Sequence, residues 1–590
     1  MKKRLFSFIA LSAIALTSCS FFGNQNNYKS YEKEISVYNI DDLDEESNLS
    51  SGYQKTINAR FIEGEDLIPY LTLKQYASLY DIHLADNAKS AFDKSVFSDI
   101  WSITIDDQIC FVAQADSSFN DFLIAGSIES AYYEGDDPRD LKALNYGIDI
   151  DFDGKYLSDE TYAYHPFDGY GIKHFTYERE TYYPLGLLDI TFYDFSGIYF
   201  TYNYKHIIST RDVENYNDIK YIDEGKEYDF NHQMEEVAKN LSTPSYLIKY
   251  NAGLFLYLMD NFYGLKEQKG IQSFASYYKR NHGIYSDLFS SFDDVRGMGY
   301  SDALSILDDN HTILVSANES WNESQFGLIR RYGERCKNRT KTKSTLQTLR
   351  QSAYKNLTPE KDYLLSEDGK TALFSFDSFV FGTTDQVFND DESIKDTAGN
   401  YDTFYKLLFA LKDLQNLGTV KNVIFDISLN GGGVVGVMLK VLSLMSKDNS
   451  STFAMYDDST TQVSIYVPHI DSNNDKKYDS TDSYGNLFNF YLLTSDCSFS
   501  CGNALPCCAK EANIAKIIGQ KSGGGECAVS VHYLPNSEYV YHSSNLHIGY
   551  FDNETNTFEG FEDGVTPDIE VEIGSSFYSV DYLNTLIQNA

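Results

Sequence analysis

The stretch from Tyr491 to Val529 reads YLLTSDCSFSCGNALPCCAKEANIAKIIGQKSGGGECAV. Tyr491–Thr494 is a short apolar run that closes on a small polar residue, the pattern of a buried strand. Ser495–Ser500 is small and polar and suits a turn. From Gly502 to Ile514, the apolar residues Ala504, Leu505, Cys508 and Ala512 recur at roughly helical spacing. A strand, a tight turn and a helix therefore follow in order. A serine at that junction sits at a helix N-terminus, where unpaired backbone N–H groups stabilise developing negative charge. Ser500 holds that place. Pro506 is tolerated near a helix start, which also sets the start close to Ser500. Local pattern leaves two readings of Ser500, a nucleophile or an ordinary helix cap.

A second stretch, Val420–Asn430, reads VKNVIFDISLN. Val423, Ile424 and Phe425 form the near-continuous apolar run of a strand covered on both faces. Gly431, Gly432 and Gly433 follow, and Val434–Met445 is an apolar run of helix length. A triple glycine between strand and helix permits close backbone approach and lets N–H groups face an anion. No Gly-Lys-Ser/Thr follows, so this is not a phosphate-binding loop. Two strand–turn–helix units, one with a serine and one with exposed amides, are the parts of a nucleophile and an oxyanion hole.

Four stretches in order, LNGGG (429–433), LLTSDCSFSCGN (492–503), IIGQKSGGG (517–525) and DGVTPDIEVE (563–572), resemble the S41 peptidases, which include the C-terminal processing and tricorn-core-like proteases. The resemblance covers roughly Glu236–Asn589, most firmly from Thr371 onward. It implies a multidomain α/β chain with a ClpP/crotonase-like spiral core. It implies that Ser500 attacks the scissile carbonyl and that the N–H groups of Gly432 and Cys501 hold the oxyanion. The tricorn-like branch has a histidine in an Asp-x-His-Thr setting before its core, where it acts as general base; Asp309-Asn310-His311-Thr312 is similar. A neutral imidazole at His311 suits removal of the Ser500 proton. The serine–lysine members carry a lysine where this chain has Gly525, so the resemblance implies a Ser-His arrangement. Glu562 is the implied carboxylate that orients the imidazole, with Glu559 and Asp563 competing. No PDZ-like domain is apparent between His311 and the core. A cysteine nucleophile at Cys501 is the rival idea.

Composition bounds the rest. The 590 residues are 42% hydrophobic, enough for several domains. A net charge of −38 repels nucleic-acid backbones and anionic membranes as direct partners. No metal or organic cofactor is required by the implied chemistry. Lys2, Lys3 and Arg4 precede an apolar run, Leu5–Leu16, and Leu16-Thr17-Ser18-Cys19 resembles a bacterial lipobox. This implies residues 1–18 as a lipoprotein signal peptide and a lipid anchor on Cys19 at the bacterial cell envelope. Seven cysteines remain, five of them between Cys497 and Cys527, without zinc-type spacing. Some are open to disulfide pairing, with at least one left over.

The expected domains are an acidic flexible linker over 19–50, an N-terminal α+β accessory domain over 51–230, a helical bundle over 231–360 that carries His311, and an S41-like core over 361–590. His165 and His174 read as surface or structural. Basic residues between Gly327 and Arg350 read as an ordinary charged loop or as a site for acidic substrate or propeptide. Expected partners are a protein or peptide substrate and the lipid anchor, with a homodimer left open. The implied function is serine endopeptidase action through Ser-His-Glu; the alternative is an inactive lipoprotein that binds peptide or cell envelope.

Overall fold

The computed structural model describes residues 28–42, 49–83, 90–94, 100–105, 108–116, 121–126, 141–157, 163–210, 220–223, 225–229, 243–281, 283–316, 333–356, 363–535 and 538–589. The signal segment and Cys19 lie outside them. The chain divides into two units. One comprises residues 1–131, 163–211 and 221–227, the other residues 132–162, 212–220 and 228–590.

In the first unit the Ser30–Asn39 strand pairs with Tyr53–Ile62 and with Ile207–Thr210 inside a seven-stranded sheet. Within 19–50, expected as a flexible linker, residues 30–39 form this strand. Ile35 and Val37 alternate with polar neighbours and are buried, so the segment is a strand with one core face despite its charge. The helix Leu73–Leu79 starts on a capping box between Thr72 and Gln75. A second, five-stranded antiparallel sheet ends on Ala163–Pro166. His165 is buried rather than on the surface, and burial lowers its pKa to about 3.

The second unit holds the candidate site. Six strands run in the order Tyr363–Leu365, Thr371–Ser375, Asn422–Asp426, Asn489–Thr494, Ala515–Gly519 and Ile569–Glu570. The first pair is antiparallel and the rest are parallel. Their residues alternate between two cores. Phe374, Phe425, Leu492 and Ile517 face one, with the helices Thr403–Leu417, Val435–Met445 and Cys501–Glu511. Leu373, Ile424, Leu493 and Ile518 face the other, with Leu346, Phe577 and Leu583. Burial on both faces explains the continuous apolar runs in the sequence. A second sheet is antiparallel and built on the Glu538–Asp552 strand.

Ile148–Tyr156, expected in the accessory domain, is an edge strand of this second sheet, paired with Gln462–Ile470 over nine positions. Its exposed aspartates blunt the open edge. Glu334–Ala353 is a helix, not a charged loop. Pro506 stands inside the Cys501–Glu511 helix rather than in its first turn. Among the described residues no helix is long and apolar enough to cross a membrane.

Candidate active site

The strands Asn422–Asp426 and Asn489–Thr494 are parallel neighbours, and their loops leave the sheet at the same carboxyl end. Sites in α/β sheets form at that end. The glycine turn and the serine turn therefore meet backbone to backbone. Phe499 N–H donates to Asn430 O at 3.0 Å, and a Cβ on Gly502 would lie 2.3 Å from Asn430 O.

Ser500 is half-buried at the N-cap of its helix, with φ 56° and ψ −128°. A non-glycine residue at positive φ stores of order 1–3 kcal/mol of strain and persists only where its surroundings enforce it. Here Ser500 N–H is tied to Gly524 O at 3.0 Å, and Ser500 O accepts from Asn503 and Ala504 at 2.8 Å. Its side chain makes no cap hydrogen bond, so the hydroxyl is not spent on the helix. Gly432 has φ 112°, and a Cβ there would sit 2.7 Å from Ser500 Cβ and 3.0 Å from Oγ. Only glycine fits beside the serine.

The two amides expected to hold the oxyanion differ. Cys501 N–H, at the helix N-terminus, donates to no backbone carbonyl among the described residues. Gly432 N–H donates to Asn430 Oδ1 at 2.9 Å, in an Asx turn. One donor is open and the other engaged. The Cys501 thiol is buried, points to Gly433 O at 3.1 Å, and is pushed by burial up to about 12. It is no thiolate at neutral pH, which argues against a cysteine nucleophile. Cys336, Cys497, Cys501, Cys507, Cys508 and Cys527 are unpaired buried thiols.

His311 lies in the turn before the Ile313–Ser316 strand, and its ring meets Phe499 at 4.6 Å between centroids. Phe499 also carries the Arg339 guanidinium at 4.2 Å. Burial lowers the His311 pKa to about 4; Asp309 opposes the shift, and Arg339 and Arg335 reinforce it. The imidazole is neutral at pH 7, as a proton acceptor must be. Its Nδ1 is buried without a hydrogen-bond partner among the described residues. No hydrogen bond joins the ring to Ser500 among the described residues; the Phe499 ring lies against it instead. Asp309 accepts the His311 backbone N–H at 3.0 Å and the hydroxyls of Thr312, Ser543 and Tyr263.

No hydrogen bond joins Glu562 to His311 among the described residues. Its carboxylate pairs with Arg335 at 2.5 Å and accepts the N–H groups of Gly525 and Glu526 at 3.0 and 3.1 Å. A guanidinium and two amides outcompete a neutral imidazole for that charge. Glu562 thus fixes the 523–526 turn that holds Ser500 N–H. Gly525, where serine–lysine relatives would have lysine, has φ 85°, and a Cβ there would lie 2.4 Å from the Phe499 ring. No side chain fits.

Sequence reasoning saw Arg335 and Arg339 only as part of a basic stretch and missed what they hold. Arg335 and Arg339, four apart on one helix face, donate to Gly523 O at 2.6 and 2.8 Å, and Arg339 also to Asp496 O at 2.8 Å. The i, i+4 basic spacing was present in the chain, but their partners are more than 150 residues away. Arg330 and Arg331 lie outside the described residues.

Glu526, Cys527 and His547 are the metal-competent group among the described residues, with ligand atoms within 4.8 Å of one another. His547 Nδ1 meets Glu526 Oε1 at 2.9 Å and Nε2 meets Asp458 Oδ2 at 3.4 Å. An imidazolium between two carboxylates satisfies this set without a metal.

The model for Peptidase family S41 matches residues 393–571. No curated protein matches. Among solved structures the chain is similar to a candidate peptidase from Parabacteroides merdae, at 16% identity and TM-score 0.39, covering 56% of this chain and 94% of that one. It is similar to a candidate S41 protease from Bacteroides fragilis, at 14% identity and TM-score 0.27, covering 38% and 56%. It is also similar to the tricorn protease, at 17% identity and TM-score 0.23, covering 42% and 19%. The family match spans the glycine turn, the serine turn and the stretch after Gly560, so this chain carries an S41-family peptidase domain and classes as an S41-like serine-type peptidase.

Proposed function

We propose that the protein is a serine endopeptidase with Ser500 as nucleophile and His311 as general base, on a core of the ClpP/crotonase-like spiral type. The observation that carries this reading is the conformation of Ser500: positive φ at a strand–helix junction, an uncommitted hydroxyl and Gly432 against its side chain. His311 removes the hydroxyl proton as Oγ attacks the peptide carbonyl. The oxyanion develops at the Cys501 N–H, and Gly432 N–H joins once Asn430 Oδ1 yields it. His311 returns the proton to the leaving amine, and water, deprotonated by His311, releases the acyl group. For this the His311 ring leaves the face of Phe499. Asp309, rather than Glu562, supplies the negative charge that stabilises the imidazolium. Glu562 acts one step removed, through the 523–526 turn. Cys19 carries a lipid that tethers the enzyme to the cell envelope, and protein or peptide is the substrate.

The engaged Gly432 amide and the absent Ser500–His311 bond favour one second reading, a catalytically inactive peptide-binding lipoprotein. A fluorophosphonate probe separates the two. Under the first reading the parent labels, Ser500→Ala does not, and His311→Ala labels more slowly. A folded parent that never labels, even with added peptide, would leave the binding reading.

A further inference from the structure

The Ile148–Tyr156 strand ends the second sheet, and among the described residues no strand pairs with its outer side. Its register sets which backbone groups face outward. Ile150 lies opposite Pro468, which has no N–H to give. In an antiparallel ladder hydrogen-bonded and non-hydrogen-bonded pairs alternate, so Ile150–Pro468 is a non-hydrogen-bonded pair and the odd-numbered residues carry the ladder. In keeping with this, Leu157 N–H donates to Thr461 O at 2.9 Å. Ile150, Phe152, Gly154 and Tyr156 therefore turn their N–H and C=O groups to the open side. There the Ile150 N–H meets the side chain of Asp149 at 3.1 Å.

The side chains are sorted by face. Ile150, Phe152 and Tyr156 stand on one face, exposed by 39%, 59% and 42%. Phe152 leans on Tyr466 at 5.5 Å between ring centroids, and more than half of its surface stays uncovered. Asp149, Asp151 and Asp153 stand on the other face, all exposed. No lysine or arginine pairs with them among the described residues; His469 Nε2 lies 3.3 Å from Asp151. An apolar row and an acidic row thus flank one line of outward amides. Such amides are a template for a further strand, and the alternate side chains select which strand fits.

We propose that this edge takes up an extended basic segment of another protein as an added antiparallel strand. Apolar side chains of the partner lie against Ile150, Phe152 and Tyr156, and its lysines or arginines face Asp149, Asp151 and Asp153. Charge decides the occupant. Were two copies to pair edge to edge about residue 151, Asp149 would face Asp153 and Asp151 would face its own copy. Like charges directly opposite are destabilising, whereas opposite charges in those places stabilise the pairing. The aspartates that blunt the edge toward a second copy of this acidic chain therefore select a cationic strand. Strand addition involves no bond cleavage, so it holds whether or not Ser500 turns over peptide.

The test uses the full chain with Ser500→Ala, which keeps the probe from being cut. The probe is a fluorescent peptide of alternating valine and lysine, as long as the strand, followed by anisotropy. Its Kd is expected on the order of 10⁻⁵ to 10⁻⁴ M, between micromolar and millimolar affinity. In the added strand the valines lie opposite Ile150, Phe152 and Gly154, so their N–H groups reach the edge and those of the lysines point away. A peptide methylated on its valine nitrogens is expected to bind at least about tenfold more weakly, and one methylated on its lysine nitrogens to bind like the parent peptide. The two carry the same charge, so general attraction to an acidic protein does not separate them. Replacing Asp149, Asp151 and Asp153 together by asparagine is expected to weaken binding about tenfold, the worth of three exposed ion pairs, with an unchanged circular dichroism spectrum. Amide exchange over residues 150–156 slows when the peptide is added. The proposal is overturned by no binding up to about 1 mM peptide, by equal binding of the two methylated peptides, or by full binding to the triple asparagine variant.

Discussion

His311 and His547 are both buried in the peptidase half and stand in opposite electrostatic surroundings. Burial disfavours the imidazolium at each. At His311 two arginines add to that penalty and one carboxylate opposes it, and the pKa falls to about 4. At His547 the hydrogen bonds it gives to Asp458 and Glu526, with the Cys527 thiol beside it, overcome it, and the pKa rises to about 12. Their exposures are alike, at 8% and 6%, so burial does not decide their protonation; the charges that face them do. The difference divides the labour. A neutral imidazole with an unpartnered Nδ1 can take a proton. An imidazolium held between two carboxylates can only hold the sheet together.

The largest effect that tests this contrast comes from removing each ring. His311→Gln is expected to slow probe labelling by about 10² to 10⁴-fold, the usual worth of a general base, with no loss of Tm. His547→Gln is expected to lower stability by about 3 kcal/mol, because it leaves the buried Glu526 carboxylate without its cation, while Asp458 is exposed. Its labelling rate per folded molecule stays near that of the parent. Urea unfolding and labelling rates measured on both variants check the pair. An exchange of phenotypes would break the comparison.

A smaller effect lies in pH. Between about 6.5 and 4, unfolded His311 binds a proton that the native ring refuses, so its contribution makes stability fall as pH falls. From pH 6.5 to 5 this amounts to about 2 kcal/mol, at about 1.4 kcal/mol per pH unit. His547 runs the other way: its raised pKa gives stability fully present below about 6.5 and lost progressively as pH rises toward its folded value. Unfolding curves for the parent and His311→Gln should therefore converge or cross toward pH 5, the variant gaining about 2 kcal/mol relative to the parent between pH 6.5 and 5. A constant gap across that range would mean that His311 titrates normally in the native state.

The sequence made the parallel strands legible because each is buried on both faces and reads as an unbroken apolar run, as in Val423–Phe425 and Tyr491–Leu493. Ser500 and Gly432 were legible for the same local reason: turn, glycine and helix start fall within a few residues. The carboxylate partner was not. Glu562 sits at a plausible spacing, but its charge is claimed by Arg335, 227 positions away in sequence. The strand Ser30–Asn39 looked like a spacer because its polar face is rich in charge, and Ile148–Tyr156 gave no sign that its partner lies beyond residue 460. Local periodicity identifies elements; it does not say which distant element takes the hydrogen bonds.

The smallest expected effect sharpens the contrast from the His311 side, where packing rather than ion pairing fixes the ring. Phe499 is held between His311 and Arg339, and Gly525 lies against it at positive φ. Gly525→Ala forces a methyl to 2.4 Å from the ring edge. Phe499 must shift, and with it the face on which His311 rests. A cost of about 1–3 kcal/mol is expected from overpacking and the unfavourable φ. Gly431→Ala is the control: its Cβ meets nothing within 4 Å and its φ is not positive, so a change within about 0.5 kcal/mol is expected. Denaturant unfolding gives both numbers, and the His311 ring resonances report where the strain goes. Displaced His311 signals with unmoved His547 signals would show that the aromatic contact sets the imidazole's position. Movement of both would mean that the 523–526 turn transmits strain through Glu526 to the caged histidine, and the two regions would then be one mechanical unit.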